Sequence, residues 1–319
     1  MNRLRAAVIG VGYLGHFHAQ KYALLDDAEL VGVVDANADR AREIATALGT
    51  KPFTDYRDLL GAIDVASIVV PTEHHHRVAK DCLDAGVHIL LEKPVTETLT
   101  QAEELIALAD AGRLVFQVGH LERFNPAVVE VQRLLDRPLF FESHRLSVFK
   151  PRGTDVNVVL DLMIHDIDII LSLVQQDIRE LRASGYPVLT DEVDIANARL
   201  EFADGCVANV TASRVSQKPM RKMRIFQHDA YFSVDFPTSS IDIARRHGAE
   251  RDEQGFPKIS IEERTTAEKS DAILAEIRAF LDCVRTGATP PVTGRDGQRA
   301  LAVALEISRA IGAPRRAGA

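Results

Sequence analysis

A glycine-rich stretch near the amino terminus constrains the fold of this 319-residue chain more than any other feature. Gly10, Gly12 and Gly15 follow the apolar run LRAAVI, and a helical pattern begins at Tyr13. The next apolar run, ELVGVVD, ends at Asp35, 20 residues beyond Gly15. A strand, this glycine spacing, a helix and a later acidic residue together are typical of a βαβ unit that binds a dinucleotide.

The residue types in this stretch suit that ligand. Glycines let the backbone turn tightly and approach a pyrophosphate, and the N–H groups at the helix start, around Tyr13 and Leu14, attract its charge. Asp35 is placed to accept hydrogen bonds from the adenosine ribose, and its charge would repel a 2′-phosphate. The sequence therefore predicts NAD rather than NADP, although Arg40 is close enough in sequence to weaken that preference. A glycine-rich turn without a ligand is the alternative.

The order of apolar runs and helical patterns predicts an α/β fold in two parts. In the first third, five apolar runs alternate with helical patterns, which is typical of a doubly wound Rossmann sheet with parallel strands. Beyond Pro138, one apolar helix is followed by strand-like runs with Gly, Asp and Pro between them, and two helices (270–285 and 295–310) end the pattern. This indicates an α+β domain with a large, mostly antiparallel sheet. The predicted domains are 1–122 for NAD binding and 123–319 for substrate binding and oligomerisation. The predicted strands of the second domain are IANARLEF, CVANVTASR, KMRIFQ, AYFSVDF and KISIEER.

Composition excludes several classes of partner. The formal net charge of −8 argues against nucleic acid, because phosphate neutralisation requires a basic surface. Three cysteines without a CxxC pair predict neither disulfides nor a zinc site. No apolar run reaches the roughly 18 residues of a membrane helix, and glycines interrupt the apolar run at the amino terminus, so we predict a cytoplasmic protein without a signal peptide. His74, His75 and His76 point about 100° apart on a helix and predict no metal site.

Two polar patterns stand against apolar backgrounds. Glu92-Lys93-Pro94 directly follows the strand-like run HILL, where the carboxyl end of a parallel strand would place a lysine at the ligand side of the sheet. In the helix VVLDLMIHDIDIILSLV, a spacing of 100° per residue places four polar residues on one stripe. Burial of these groups is costly unless they are paired or face water, so a substrate cavity is predicted, with satisfied core polar groups as the alternative. The stripe contains Asp161, His165, Asp168 and Ser172.

Taken together, these motifs resemble the Gfo/Idh/MocA family of nicotinamide-dependent sugar oxidoreductases. The resemblance extends over nearly the whole chain and includes VVPTEHHHRVA (69–79), EKP, VGHLERFNPA (118–127) and DLMIHDID. It implies that Lys93 is the catalytic acid/base or its partner and that Asp161 and His165 complete the site. It also implies a cis Lys93–Pro94 bond. Many members have a glycine-rich lead into the helix where this chain has NVVLDLMIH.

The resemblance extends the list of candidate residues. Residues expected to contact the cofactor, besides the glycine loop and Asp35, are Pro71, Thr72, His75, Glu92 and Lys93. Residues expected to contact substrate are Lys93, Arg123, Asn125, Lys150, Arg152, Asp161 and His165. Arg145, Lys150 and Arg152 form a basic cluster that would suit a diphosphate, with a solvated loop as the alternative.

Within the family, the chain is similar to nucleotide-sugar enzymes that oxidise the C3 hydroxyl of UDP-N-acetylglucosamine-type substrates. The resemblance implies a ketone product for a downstream aminotransferase, in lipid A or surface polysaccharide biosynthesis. Alternatives are a free polyol or aldose, such as inositol or glucose, and a non-catalytic NAD-binding regulator. The residues leave open whether Lys93 or His165 is the ultimate base. A broad sheet with an exposed face predicts a homodimer or homotetramer.

Overall fold

The computed structural model describes residues 3–150, 156–265 and 271–312. The chain forms two compact units, and each contains two segments of the sequence. The first unit consists of Met1–Phe124 and Asp271–Leu301, and the second of Asn125–Ser270 and Ala302–Ala319. This division differs from the predicted domains, because residues 271–301 return to the first unit and the first segment ends at 124 rather than 122.

The helix over Ala272–Thr286 explains the difference. Its residues Ile277, Phe280 and Leu281 are buried in the same core as Val8 and Tyr22. An amphipathic pattern shows that a helix has an apolar face but not which core will cover it. The residues after this helix add to the same unit, since the Val118 N–H donates to the Val292 carbonyl at 3.0 Å.

The first unit is built on a six-stranded parallel sheet, which confirms the predicted Rossmann fold. The strand order is β3-β2-β1-β4-β5-β6, so the order reverses between β1 and β4, where open α/β sheets bind their ligands. The strands are β1 (Leu4–Ile9), β2 (Ala28–Val34), β3 (Lys51–Phe53), β4 (Val65–Ile68), β5 (His88–Glu92) and β6 (Phe116–Gly119). The helices are α1 (Tyr13–Leu24), α2 (Ala38–Leu48), α3 (His75–Asp84) and α4 (Leu99–Gly112), together with α7 (Ala272–Thr286) and the first part of α8 (Gly294–Ile311).

The second unit contains an eight-stranded sheet in the order β14-β13-β12-β11-β7-β10-β9-β8. Among the described strands of this sheet, only β7 and β10 pair in parallel, which confirms a mostly antiparallel sheet. The strands are β7 (Pro138–Leu146), β8 (Ile178–Tyr186), β9 (Ile195–Phe202), β10 (Val207–Ser213), β11 (Met220–Gln227), β12 (Ala230–Asp235), β13 (Ser240–Arg251) and β14 (Pro257–Thr265). The predicted strands include neither β7, β8 and β13 of this sheet nor β3 of the parallel sheet.

Helices cover one face of this sheet. Helix α6 (Ile164–Val174) packs on β7 and β10, and α5 (Pro126–Leu134) packs on β12 and β13. In β9, alternate residues from Ala196 to Phe202 are buried, as a half-covered antiparallel strand requires. Across the described part of the chain, no helix is both long enough and apolar enough to span a bilayer.

Candidate functional site

The glycine loop between β1 and α1 has the shape of a phosphate cradle. Gly10 has φ +90°, and a Cβ atom there would lie 2.5 Å from the Val69 carbonyl oxygen. A Cβ at Gly15 would lie 1.8 Å from the Gly10 carbonyl oxygen, so both positions require glycine for the fold itself. A Cβ at Gly12 would meet no atom within 4 Å. Packing therefore does not require glycine at this position, and its missing side chain leaves open space for a ligand such as a pyrophosphate.

A cavity of about 670 Å³ lies beside this loop. It brings together predicted cofactor residues from three strand ends: Gly10 and Gly12 after β1, Asp35 after β2, and Pro71 after β4. A cavity of this size, next to a helix amino terminus and a carboxylate, fits part of a dinucleotide. The donor set and the open space at Gly12 thus fit NAD.

Asp35 is already fixed by the loop that it faces. Its Oδ2 accepts the Val11 N–H at 3.1 Å and its Oδ1 accepts the Asn37 N–H at 2.9 Å. Arg40 also turns to the loop, because its Nε donates to the Val11 carbonyl at 2.9 Å and its Nη1 pairs with Glu43 at 2.9 Å. With these bonds, Arg40 acts as a support for the glycine loop, and Asp35 presents its charge to the cavity.

Sequence reasoning missed six polar residues of the cavity wall. These residues are Thr54, Asp55, Tyr56, Arg57, His74 and Arg77. The first four follow β3, which pairs with β2 at the edge of the sheet, so they line the cavity next to Asp35. The strand order of a doubly wound sheet was the available signal, since β3 lies beside β2 in this topology.

Thr72 and His75, both predicted to contact the cofactor, differ in burial. Thr72 is half-buried and begins a short 3₁₀ turn after Pro71. His75 is 1% exposed, with Nδ1 2.9 Å from the Pro94 carbonyl and Nε2 2.8 Å from the Val70 carbonyl. Burial lowers the pKa of His75, so its neutral ring donates to one of the two carbonyls. His75 therefore joins the loops after β4 and β5, and its predicted contact with the cofactor would be indirect.

The EKP tripeptide ends β5, as the sequence indicated. The Lys93–Pro94 bond is cis, and Lys93 is half-buried at the carboxyl end of the strand. Glu92 is 7% exposed, and its Oε2 accepts the Lys93 backbone N–H at 3.3 Å. Burial and, after it, the positive charge of Lys93 lower the pKa of His120 to about 3. Glu92 thus holds the backbone of Lys93, and a neutral imidazole lies near the amine.

In the second unit, Asp161 and His165 occupy the predicted helix, but its first turn is irregular. Val159–Met163 is π-helical, and α6 begins at Ile164. The wider turn breaks the 100° spacing on which the predicted polar stripe depended. Asp161 and His165 are half-buried, whereas Asp168 is 2% exposed, so the four residues do not form a uniform stripe.

The same helix carries a buried ion pair that the sequence did not indicate. Asp166 is 1% exposed and accepts two bonds from Arg145 of β7, from Nε at 2.9 Å and from Nη2 at 3.0 Å. Arg145 is itself 3% exposed. The suggested role of Arg145 as a diphosphate ligand is therefore corrected, because its guanidinium is bound by a carboxylate.

The other predicted substrate residues have different surroundings. Lys150 is exposed, and Arg152 lies outside the described residues. Arg123, in the first unit, donates from Nη2 to the Pro291 carbonyl at 3.1 Å. Asn125 is 7% exposed and caps α5 by accepting the Ala127 N–H at 3.0 Å, while its Nδ2 donates to the Phe236 carbonyl at 3.2 Å. These bonds give Asn125 a structural role.

Comparison with known proteins is consistent with this geometry. A family model described as "Oxidoreductase family, NAD-binding Rossmann fold" matches residues 4–120, and the GFO/IDH/MocA C-terminal domain matches residues 100–232. The chain is 41% identical over 312 residues to UDP-N-acetylglucosamine 3-dehydrogenase of Acidithiobacillus ferrooxidans, covering 98% of each chain. A solved structure of UDP-N-acetylglucosamine 3-dehydrogenase from that organism matches with a TM-score of 0.90 at 40% identity, also over 98% of each chain.

A more distant relative also matches over nearly the whole length of both chains. The scyllo-inositol 2-dehydrogenase (NAD(+)) of Bacillus subtilis is 28% identical over 95% of this chain and 93% of its own. The glycine loop, the sheet order, the EKP segment and the two-unit chain agree with the family matches. The chain therefore belongs to the Gfo/Idh/MocA family of oxidoreductases, whose first domain is an NAD-binding Rossmann fold.

Proposed function

We propose that this protein oxidises the C3 hydroxyl of UDP-N-acetylglucosamine, or of a close nucleotide sugar, to a ketone with NAD as the oxidant. The observation that carries the proposal is the 41% identity, over 98% of both chains, to a relative named for that reaction. The inositol dehydrogenase is less similar, at 28% identity, which makes a free polyol the weaker candidate. Retention of Lys93, Asp161 and His165 favours an enzyme over a non-catalytic regulator.

The cofactor would be held by the first unit. The pyrophosphate would bind the loop from Gly10 to Gly15, including the backbone at Tyr13 and Leu14, and the adenosine ribose would bind Asp35. Pro71 and Thr72 would lie along the nicotinamide end, with the buried Glu92 and His75 supporting them. Bound NAD supplies the acceptor for the hydride that leaves the substrate carbon.

The substrate hydroxyl must lose a proton as the hydride leaves. Lys93 is a suitable base if its amine is neutral, and both its half-buried position and a nearby nicotinamide charge lower the pKa of a lysine. His165 would orient the same hydroxyl or accept the proton itself, and Asp161 would hold the sugar or the imidazole. The comparison of Lys93→Met with His165→Asn distinguishes these roles, because loss of the base lowers kcat most.

A nucleotide sugar also needs partners for its diphosphate. Lys150 is the exposed candidate among the described residues, and Arg152, Arg123 and Asn125 are the further candidates from the resemblance. Lys150→Ala should raise KM for a UDP-sugar about tenfold, the loss expected for one charge-assisted hydrogen bond. It should leave KM for NAD unchanged, because the cofactor contacts lie elsewhere in the chain.

The product of the proposed reaction suggests the cellular setting. A 3-keto sugar is the form that a downstream aminotransferase consumes, as in lipid A or surface polysaccharide biosynthesis, and we place the enzyme in the cytoplasm.

Several large apolar side chains near β14 are exposed, including Phe256, Ile259 and Ile261 at 64%, 60% and 83%. An edge strand of this kind favours a homodimer or homotetramer. A monomer mass in light scattering would contradict the oligomer.

The reaction can be tested directly with purified protein and NAD. UDP-N-acetylglucosamine, inositol and glucose are offered separately with a ketone-trapping reagent, and reduced cofactor is followed by absorbance. We expect turnover with the UDP-sugar alone. Lys93→Met should lower kcat by about 10²–10⁴, the usual contribution of a general base.

The matched control is Lys80→Met, which removes a lysine of α3 whose side chain is 37% exposed and pairs with Glu104. It should keep the activity of the wild type. Turnover with a free polyol would retain the chemistry and replace the substrate. Unchanged turnover in Lys93→Met would remove Lys93 from the mechanism.

A further inference from the structure

Three titratable side chains meet in the interior of the first unit. His18 lies on α1, Glu92 ends β5 and Glu276 lies on α7, and their exposed fractions are 1%, 7% and 0%. One nitrogen or oxygen atom of each lies within 4.8 Å of those of the other two. A helix from the carboxyl-terminal segment thus brings a second carboxyl group to the residue that precedes Lys93.

Two of the three side chains have partners within the unit. His18 Nε2 is 3.3 Å from Glu92 Oε1, and His18 Nδ1 is 3.3 Å from the Ser67 hydroxyl. The Ser67 hydroxyl also bonds the Tyr22 hydroxyl at 3.0 Å. The β6 backbone closes over the Glu92 carboxyl group, because a Cβ at Gly119 would lie 2.7 Å from Oε1.

Glu276 is different. Neither of its carboxyl oxygens has a hydrogen-bond partner among the described residues. Its backbone carbonyl accepts a bond from Gln117 Nε2 at 3.1 Å, which fixes the helix at this point. An ionised carboxylate in such a place is costly, and a second one close to Glu92 is more costly still. Burial and the charge of Glu92 accordingly raise the pKa of Glu276 well above its usual value.

We propose that Glu276 is a positioning residue that keeps its proton at neutral pH, so that Glu92 is the single charged carboxylate beside Lys93. The inference rests on the proposed role of Lys93 as the base. Glu92 Oε2 accepts the Lys93 backbone N–H at 3.3 Å and so fixes the start of the lysine side chain. A second negative charge would raise the pKa of the lysine and keep its amine protonated.

The neighbouring groups provide little compensation for a second charge. The titratable groups around Glu276 are His18 and Tyr22 on α1 and Glu92 at the end of β5. Lys93 follows β5, and its charge and that of Glu92 act on His120 after β6. Burial raises the pKa of Tyr22 and lowers that of His120 to about 3, so both are uncharged at neutral pH. His18 contacts Glu92 at 3.3 Å, whereas neither carboxyl oxygen of Glu276 has a hydrogen-bond partner among the described residues.

The first test measures stability and needs no substrate. In the unfolded chain a glutamate loses its proton above about pH 4.5, whereas Glu276 keeps it in the folded protein, so folding becomes less favourable as pH rises. Glu276→Gln removes this effect. The thermal midpoint of the variant should therefore rise relative to that of the wild type, by at least about 4 °C between pH 5 and pH 8. The transition to follow is that of the NAD-binding unit, which is recognised because added NAD raises its midpoint. The control Glu103→Gln, an exposed residue of α4, should follow the wild type at every pH.

Two results would overturn the inference. A Glu276→Gln protein that is less stable than the wild type at every pH would mean that the carboxylate is ionised and paired. A rise in wild-type stability with added Zn²⁺, reversed by EDTA and lost in Glu276→Gln, would assign the three side chains to a cation. If Glu276→Gln does not fold, Glu276→Met and the infrared band of a protonated carboxyl group in the wild type answer the same question.

The second test measures the effect on catalysis. Glu92→Gln should move the acidic limb of the kcat/KM profile to lower pH by about one unit, because the lysine loses a neighbouring negative charge. Glu276→Met should lower kcat/KM about tenfold through misplacement of Glu92, and Glu276→Gln should recover most of that loss. If kcat/KM of Glu276→Gln were as low as that of Glu276→Met, the result would contradict a protonated Glu276. Unchanged turnover in Lys93→Met would refute the proposed function, while the stability test of Glu276 would stand on its own.

Discussion

Two carboxyl groups of this protein are both 0% exposed, yet they have opposite surroundings. Asp194 in the second unit accepts backbone N–H bonds from Val188, Leu189 and Thr190 at 2.8, 2.6 and 2.8 Å. Glu276 in the first unit accepts none at its side chain. Burial alone would raise the pKa of Asp194, but the three N–H donors outweigh it and lower the pKa, whereas that of Glu276 is raised.

The difference shows that hydrogen bonding, and not burial alone, decides whether a buried carboxyl group is charged. Asp194 also accepts the Thr190 hydroxyl at 2.8 Å and lies 3.6 Å from the buried guanidinium of Arg214, so its charge is balanced by the fold. That arrangement organises a loop and needs no ligand. Glu276, by our inference, is instead neutral because it is protonated. Its neighbour Glu92 contacts the backbone of Lys93, the proposed base.

Removal of Asp194 should have the largest effect on stability. Asp194→Ala leaves three N–H groups without their acceptor and removes the carboxylate that lies 3.6 Å from the buried guanidinium of Arg214, which should lower the free energy of unfolding by about 3 kcal/mol. Urea denaturation gives this value. Asp177→Ala, which changes an exposed aspartate of the same unit, should stay within about 0.5 kcal/mol of the wild type. A loss below 1 kcal/mol for Asp194→Ala would show that water replaces the carboxylate.

The two buried acids should give opposite slopes with pH. A depressed pKa contributes stability above the unfolded value near 3.9, and this is lost as pH falls through the folded pKa. The advantage of wild type over Asp194→Asn, about 1–2 kcal/mol at neutral pH, should therefore shrink below about pH 4. The corresponding difference for Glu276→Gln should grow in favour of the variant above about pH 4.5. Thermal midpoints between pH 3 and 9 measure both, and slopes of equal sign would contradict the comparison.

Asp35 is an intermediate case, with two backbone donors and an open cavity beside it. Asp35→Asn should raise KM for NAD about tenfold, because the ribose loses a charged acceptor. The same change should improve KM for NADP, since repulsion of a 2′-phosphate disappears. Asp39→Asn, an exposed position on α2, is the control. Equal changes in KM for both cofactors would mean that Asp35 acts only through the loop.

An exposed carboxylate should have the smallest effect. Glu180 pairs with Arg182 at 2.6 Å, with side chains 42% and 79% exposed. Glu180→Gln should change the free energy of unfolding by less than about 0.5 kcal/mol, because water screens the pair. A larger change in urea denaturation would point to a role for this strand in subunit association.

The sequence indicates the first unit better than the second. The glycine loop, Asp35 and Lys93 follow from local patterns, because the ends of parallel strands share one side of the sheet. Strand β8 has no fully buried residue, and in β13 only Ile241 and Ile243 are fully buried while the last six residues are exposed, so the apolar signal of both strands is weak. Their pairing depends on neighbouring strands that are distant in sequence.

The candidate site is predictable to a similar limit. Glu276 occurs in AILAEIRAFLDCVRT, where a charged residue on an amphipathic helix looks like part of its solvent face. Its burial depends on α1 and β5, more than 180 residues earlier in the chain. Arg145 has the same difficulty, because a basic residue near other basic residues suggests a ligand until its partner Asp166 is located.

The return of residues 271–301 to the first unit has a consequence for biosynthesis. Ile277, Phe280 and Leu281 complete a core that otherwise consists of residues translated much earlier, among them Val8 and Tyr22. A nascent chain that has reached residue 124 has all six strands of the parallel sheet but exposes the surface that α7 will cover. The NAD-binding unit therefore finishes folding only after nearly all of the second unit has emerged from the ribosome, and chaperone binding should persist until then.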